Sequence, residues 1–147
     1  MKLIRLFPET TVGAECDPHL LKMVLVNFLS NAVKYGRPGG EIRLHVNRIL
    51  GRLDVAVWNE GLGFTEADRP RLFQKFSRLE ESGAKGPRGT GLGLYNAWRI
   101  IQLHHGRTQA FSESGEWAEF TFSIPQPLPK KATLKNHENT LTEKNGQ

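Results

Sequence analysis

Cysteine occurs once, at Cys16, so the chain can build neither an internal disulfide framework nor a multi-cysteine metal site, and the thiol reads as a small buried hydrophobe. Long apolar runs are also missing. The longest, Leu20 to Leu29, is broken by Lys22 and Asn27 and falls short of a bilayer-spanning length, which excludes a transmembrane helix of the usual kind. The opening MKLIRLFPETT has a very short apolar run interrupted by Arg5 and Pro8, which does not make a signal peptide, so the expected location is cytoplasmic. No internal repeat is visible. A basic face interleaved with aromatics is lacking too. The net charge is +5, but part of the excess sits near the end, where Lys130, Lys131, Lys135 and Lys144 stand against Glu138 and Glu143, and the rest is scattered. Nucleic acid is therefore not an expected partner.

What is present is the composition of a soluble globular domain, 38% hydrophobic and 24% charged, on 147 residues that suffice for one buried core and not for two. One domain over residues 1–126 is expected, followed by a polar, disordered tail over 127–147.

Asp17 to Gly36 carries helix punctuation at both ends, with Asp17 at the N-cap, Pro18 in the first turn and Gly36 at the C-cap. Leu21, Val24, Leu25, Phe28, Leu29 and Ala32 recur at helical spacing and predict one core-facing stripe. Asn27, Asn31 and Lys34 recur beside it on another face. Asparagine is a mediocre helix former, so two of them one turn apart are either hydrogen-bonded core amides or site residues. EIRLHVNRI and RLDVAVWN alternate around Leu50 to Arg52 and predict a β-hairpin. NEGLGFTEADRP is a glycine-bearing loop in which Thr65 or Asp68 is placed to cap a short helix near Pro70. Ser77 to Thr90 has little periodicity and reads as a mobile loop. GLGLYNAWRIIQLHHG restores helical spacing, TQAFSES and WAEFTFSIP predict a second hairpin about Gly115, and Lys2 to Phe7 can add an edge strand. Helices and strands mix without strict alternation, so the expected class is α+β: a two-layer sandwich with a mixed, mostly antiparallel sheet covered on one face by about three helices.

Glycines cluster on both sides of the irregular loop, Gly61 and Gly63 before it, Gly89, Gly91 and Gly93 after it. The second cluster runs straight into a helix, where backbone N–H groups and the positive helix end can close on an anion. Phosphate binding is the natural reading. It is neither the dinucleotide fingerprint, since no strand immediately precedes it, nor a P-loop, since no Gly-Lys-Ser/Thr closes it.

In this order and spacing VLVNFLSNAVKYG, NEGLGF, LFQKFSR and GTGLGL resemble the N, G1, F and G2 boxes of the GHKL ATPases, and among them the sensor histidine kinases. The resemblance spans Asp17 to Pro125. It implies the Bergerat fold with an ATP lid, Mg-ATP as the bound nucleotide, and roles for residues that spacing alone leaves idle. Asn31 is then the magnesium ligand, Asn27 lines the same phosphate site, Lys34 and Tyr35 reach phosphates and sugar, and Arg78 meets the terminal phosphates, so that Asn27, Lys34 and Arg78 carry catalysis. Asn59 meets the adenine amine while Gly61 and Gly63 let the backbone approach the base, Phe73 and Phe76 anchor the near end of the lid, and Phe64, Phe76, Arg88, Gly89, Thr90, Gly91, Leu92, Gly93 and Leu94 complete the nucleotide-binding set. One departure stands out. The family usually places aspartate where this chain has Asn59, so the contact to the adenine amine becomes neutral rather than charge-assisted.

The same resemblance implies partners: a histidine-bearing dimerisation domain that accepts the γ-phosphoryl group, and a response regulator receiver domain beyond it, with a membrane involved only indirectly. Within this chain His19, His45, His104 and His105 read as surface or satisfied side chains, and His137 with Glu138 lacks the apolar helical spacing of an acceptor. The chain alone is thus expected to bind nucleotide without phosphorylating itself. A serine kinase of the anti-sigma type, or a nucleotide-sensing module without catalysis, would use nearly the same residues. Hydrolysing relatives usually carry a glutamate at the place of Asn27, and its absence counts against hydrolysis.

Overall fold

The computed structural model describes residues 1–77 and 91–128. Its elements run β1 (Lys2–Leu6), α1 (Pro18–Tyr35), β2 (Glu41–Ile49), β3 (Arg52–Glu60), a 3-10 turn (Arg69–Arg71), α2 (Gly93–Leu103), β4 (Arg107–Glu113) and β5 (Trp117–Pro125). The strands form a five-stranded sheet in the order β1-β2-β3-β5-β4, parallel between β1 and β2 and antiparallel elsewhere. Both expected hairpins and the edge strand are present, as is the mixed sheet.

Alternation decides which face is covered. Leu53, Val55, Val57 and Asn59 of β3 and Ala118, Phe120, Phe122 and Ile124 of β5 are buried, while their neighbours face the other way and keep contact with solvent. Val24, Phe28 and Ala32 of α1 and Ala97, Ile100 and Ile101 of α2 lie on that inner face. Phe28 packs at tilted angles on Phe120 and Phe122, with ring centroids 5.8 and 6.1 Å apart. Cys16, partly buried, joins the same core.

The helices are fixed at their ends by short polar contacts. The Asp17 carboxylate accepts from the N–H groups of His19 and Leu20 at 2.9 and 3.1 Å, the N-cap that the sequence predicts. Those bonds, the Leu20 N–H first, hold its carboxyl below the usual aspartate range. His104, just past α2, offers Nε2 to the Asp17 N–H at 3.0 Å while its Nδ1 donates to the Ile100 carbonyl at 2.8 Å. The C-terminal end of α2 is thereby tied to the N-terminal end of α1.

Two expectations change in detail. Of the three helices expected, two are α-helices and the third, among the described residues, is the single 3-10 turn at Arg69–Arg71. Asp68 does not cap it, because its carboxylate is already engaged by the Thr65 N–H at 3.1 Å and the Thr65 hydroxyl at 2.6 Å, which closes a local turn instead. Gly36 follows α1 in an extended conformation, φ −73° and ψ 157°, not the left-handed one a C-cap glycine usually takes. Glycine is needed there for space. Gly36 forms a bridge with Gly61, and a Cβ on Gly36 would overlap the Ala32 carbonyl oxygen. The residues of the expected lid, 78–90, and of the polar end, 129–147, lie outside the described residues.

Candidate functional site

The core stripe of α1 faces the sheet, so helical geometry turns Asn27, Asn31 and Lys34 sideways, toward the N-terminal end of α2. A cavity of about 390 Å³ opens there. Its helix end is lined by Asn27, Asn31 and Lys34 from α1 and by Gly91, Leu92 and Gly93 at the start of α2. The two helices approach so closely that a Cβ on Gly93 would stand 3.2 Å from the Asn27 side-chain oxygen. Gly91, with φ +70°, rests on the backbone of Phe76 and Ser77, and a Cβ there would come within 2.8 Å of the Ser77 carbonyl oxygen. The first turn of α2, whose N–H groups have no partner within the helix, borders this gap. Lys34 carries no ion pair among the described residues, so its charge is available to an anion.

The opposite end is made by the sheet. Register sets Asn59 of β3 beside Ala118 of β5, and both line the cavity together with Phe120 and Phe64. Asn59 is 2% exposed, and its Nδ2 donates to the Glu60 carbonyl at 3.1 Å, which leaves the amide oxygen as its acceptor. Ser112 pins the approach to this end. Its hydroxyl accepts from the Phe64 N–H at 2.8 Å and donates to the Trp117 carbonyl at 2.7 Å. Phe120 collects three aromatic neighbours, Phe28, Phe64 and Phe73, at 5.8, 5.9 and 6.3 Å. The result is a flat apolar slot with one buried amide at its base, opening toward a polar, glycine-bounded mouth.

The model of the family described as histidine kinase-, DNA gyrase B- and HSP90-like ATPases matches residues 16–128. The chain belongs to this ATPase family. Within it the chain is similar to sensor kinases. The circadian input-output histidine kinase CikA of Synechococcus elongatus is 40% identical over 125 residues, which is 82% of this chain and 17% of CikA. The sensor histidine kinase WalK of Bacillus subtilis is 33% identical over 127 residues, 85% of this chain and 21% of WalK. The chain thus spans only about a fifth of these relatives. Among solved structures, the catalytic domain of the histidine kinase ThkA superposes with a TM-score of 0.74 at 25% identity, covering 85% of this chain and 80% of that one. Full-length ShkA in complex with AMPPNP gives 0.74 at 27% identity, covering 87% and 26%. This ATPase-family member is accordingly a catalytic ATP-binding domain of the sensor histidine kinase kind.

The structure brings together most of the residues singled out in the sequence: Asn27, Asn31, Lys34, Tyr35, Asn59, Gly63, Phe64, Gly91, Leu92, Gly93 and Leu94 all line the one cavity. Gly61 does not. It lies behind the loop, where its N–H donates to the Glu116 carbonyl at 2.9 Å and its Cα backs onto Gly36. Phe76 is 66% exposed with φ +59°, its ring turned to the Lys75 ammonium, and it does not reach the cavity. Phe73 is a core ring, edge-on to Phe120. Arg78, Arg88, Gly89, Thr90 and His137 lie outside the described residues. Ser30, Leu72, Ser77, Asn96, Ala118 and Phe120 line the cavity without having been singled out. Asn96 could have been found by counting one helical turn on from Gly93, but Ala118 and Phe120 enter only through strand register.

Proposed function

We propose that this chain binds ATP with magnesium and transfers the γ-phosphoryl group to a histidine on a separate dimerisation domain, from which a response regulator receives it. What carries this reading is the opposition of the Asn27, Asn31 and Lys34 row to the start of α2, across a slot that ends at Asn59. The slot accepts a flat base, whose amine meets the amide oxygen of Asn59 and whose faces lie against Phe64 and Phe120. The phosphates then fall between the two helices.

The donor set suits magnesium held mainly by its nucleotide. Among the described residues no cluster of three or more His, Cys, Asp or Glu side chains is present, whereas Asn27 and Asn31 present neutral oxygens one turn apart. Magnesium prefers such hard oxygen ligands and keeps waters and phosphate oxygens around it. When bound, it screens the phosphate charge. Asn31 would hold it, and Asn27 would orient the terminal phosphate. Lys34 and the N–H groups at the start of α2 offset the charge that shifts to the leaving diphosphate as the γ P–O bond breaks and the new P–N bond to the acceptor imidazole forms. Positioning supplies the remainder, because the acceptor imidazole is itself the nucleophile.

The test uses purified chain with Mg-ATP, alone and then with CikA from which its own matched segment has been deleted. Expected are nucleotide binding without self-phosphorylation, and acid-labile phosphohistidine on the added protein. Phosphohistidine on this chain alone, or acid-stable phosphoserine on the partner, overturns the assignment.

A further inference from the structure

Two strands bound the sheet, and their chemistry differs. β4, at one edge, presents Arg107, Gln109 and Glu113 to solvent, and its exposed ring, Phe111, has the Arg69 guanidinium over it at 5.7 Å. Charged edges of this kind discourage further strand pairing. β1, at the other edge, is mostly apolar. Leu3 and Leu6 are 54% and 46% exposed, and Met1 and Phe7 on either side of them are half exposed too. Lys2, one of the two cations of β1, is drawn toward Glu41 of β2, 3.8 Å away. Among the described residues no strand pairs with the outer edge of β1.

The backbone of β1 limits what can pair there. The Lys2 N–H donates to the Gly40 carbonyl at 3.0 Å, and β1 runs parallel to β2 with Lys2 beside Glu41. In such a ladder alternate residues turn both backbone groups to the neighbour, so Lys2, Ile4 and Leu6 face β2 while Leu3 and Arg5 hold their N–H and C=O groups outward. Side chains alternate across the sheet as well. Leu3 and Arg5 stand with Ile42 and Leu44 on the covered side, and Lys2, Ile4 and Leu6 stand with Glu41, Arg43 and His45 on the open side.

We infer that β1 is a pairing edge for a second copy of this chain, joined antiparallel about a two-fold axis at Ile4. In that register Leu3 of each copy stands opposite Arg5 of the other. Each such pair exchanges two backbone hydrogen bonds, so every outward group of Leu3 and Arg5 is satisfied. Ile4 meets its own copy in the intervening position, Leu6 meets the aliphatic stem of Lys2, and no two cations stand directly opposite. Shifting the register one way sets Arg5 against itself, which like charge disfavours, and shifting it the other way leaves Leu6 without a partner. The pairing joins two five-stranded sheets into one, with both helix layers on the same side. The nucleotide cavity is lined from β3 and β5, at least two strands in from this edge, so it stays uncovered.

Sedimentation equilibrium of the whole chain over a range of concentrations should show a reversible monomer–dimer equilibrium. Arg5→Pro removes an outward N–H without touching the ladder to β2, so it should weaken the dimer by about tenfold or more and leave affinity for Mg-AMPPNP unchanged. Leu3→Glu should associate about tenfold more tightly than Leu3→Lys, since the new charge faces Arg5 of the other copy. Under mild oxidation Ile4→Cys should give a disulfide-linked dimer, because position 4 faces itself across the axis. Leu3→Cys, and the native chain with Cys16 alone, should not. A native chain that stays monomeric, with no cross-link from Ile4→Cys, overturns the second copy and leaves the edge to a strand of another protein. Association unchanged by Arg5→Pro overturns β1 as the contact. Equal association of Leu3→Glu and Leu3→Lys, or a cross-link from Leu3→Cys as ready as that from Ile4→Cys, overturns the register.

Discussion

The two ends of the cavity are made of different material, and the difference decides what each can tolerate. At the sheet end, Phe120 and Asn59 belong simultaneously to the core and to the site, 8% and 2% exposed. At the helix end, Asn27, Asn31 and Lys34 stand off the core stripe of α1, and Gly91 and Gly93 shape the gap by what they lack. Folding and binding therefore share atoms at one end and are separable at the other.

Phe120→Ala should have the largest effect. It removes the ring against which Phe28, Phe64 and Phe73 pack, and a core truncation of this kind costs about 3–5 kcal/mol. Urea unfolding should show the loss at unchanged slope, and nucleotide affinity should fall with it. Retention of either property without the other would mean that the sheet end is not a shared structure. Asn31→Ala comes next, with the opposite profile. Phosphoryl transfer should fall by about a hundredfold, and the advantage that magnesium gives to nucleotide binding should disappear, while the thermal midpoint stays at the native value. A drop in midpoint as large as that of Phe120→Ala would erase the distinction between the ends.

The same contrast governs what could be read from the sequence. The helix end was legible because its residues sit at fixed intervals on one helix or next to glycines, so Asn27, Asn31, Lys34 and Gly93 could be placed by counting. The sheet end was legible only in part. Asn59 stands two residues before Gly61 and Phe64 directly follows Gly63, but Ala118 and Phe120 lie far along the chain on β5 and reach the site because β3 pairs with β5 rather than with β4. A hairpin pattern specifies its own pairing and says nothing about which strand it joins. Gly61 shows the converse: its type was right for the loop, but its surroundings, Gly36 and the Glu116 carbonyl, give it a structural task behind the site. The helix near Pro70 shortened to a 3-10 turn because Thr65 and Asp68 satisfy each other, a local competition that spacing does not rank.

Asn59→Asp should produce a smaller and mixed change. A carboxylate strengthens the contact to an adenine amine, so the preference for ATP over GTP should rise by about tenfold at most. The substitution also ends the donation from Nδ2 to the Glu60 carbonyl and places an acceptor where a donor stood, at a cost to stability of about 1–3 kcal/mol. Titrations with both nucleotides and an unfolding curve separate the two effects. An unchanged ATP-to-GTP ratio would show that the side-chain amide already discriminates as well as a carboxylate.

The smallest effect is expected from the far side of the same sheet. Glu119 sits between Ala118 and Phe120 on β5, pointing away from the cavity and paired across the strands with Trp58 and Phe111. Burial lifts its carboxyl above the usual glutamate value of 4.5, and the nearby His45 pulls it back only in part. The folded chain then keeps this proton to higher pH than the unfolded chain does. Its contribution is most favourable in acid and declines as pH rises from the unfolded value through the raised folded one. Asp17 and Asp68 act in the other direction, since their carboxyls are held below 3.8 by hydrogen bonds and their contribution is lost as pH falls through those lower values. Comparing Glu119→Gln with the native chain cancels both aspartates. The variant should equal the native chain in acid and exceed it near neutrality, by well under about 1 kcal/mol because the group is only half buried and water screens it. Nucleotide affinity should not follow this pH dependence, because the carboxyl faces away from the cavity. A matching shift in affinity would mean that charge on the open face of the sheet is felt in the site through β5.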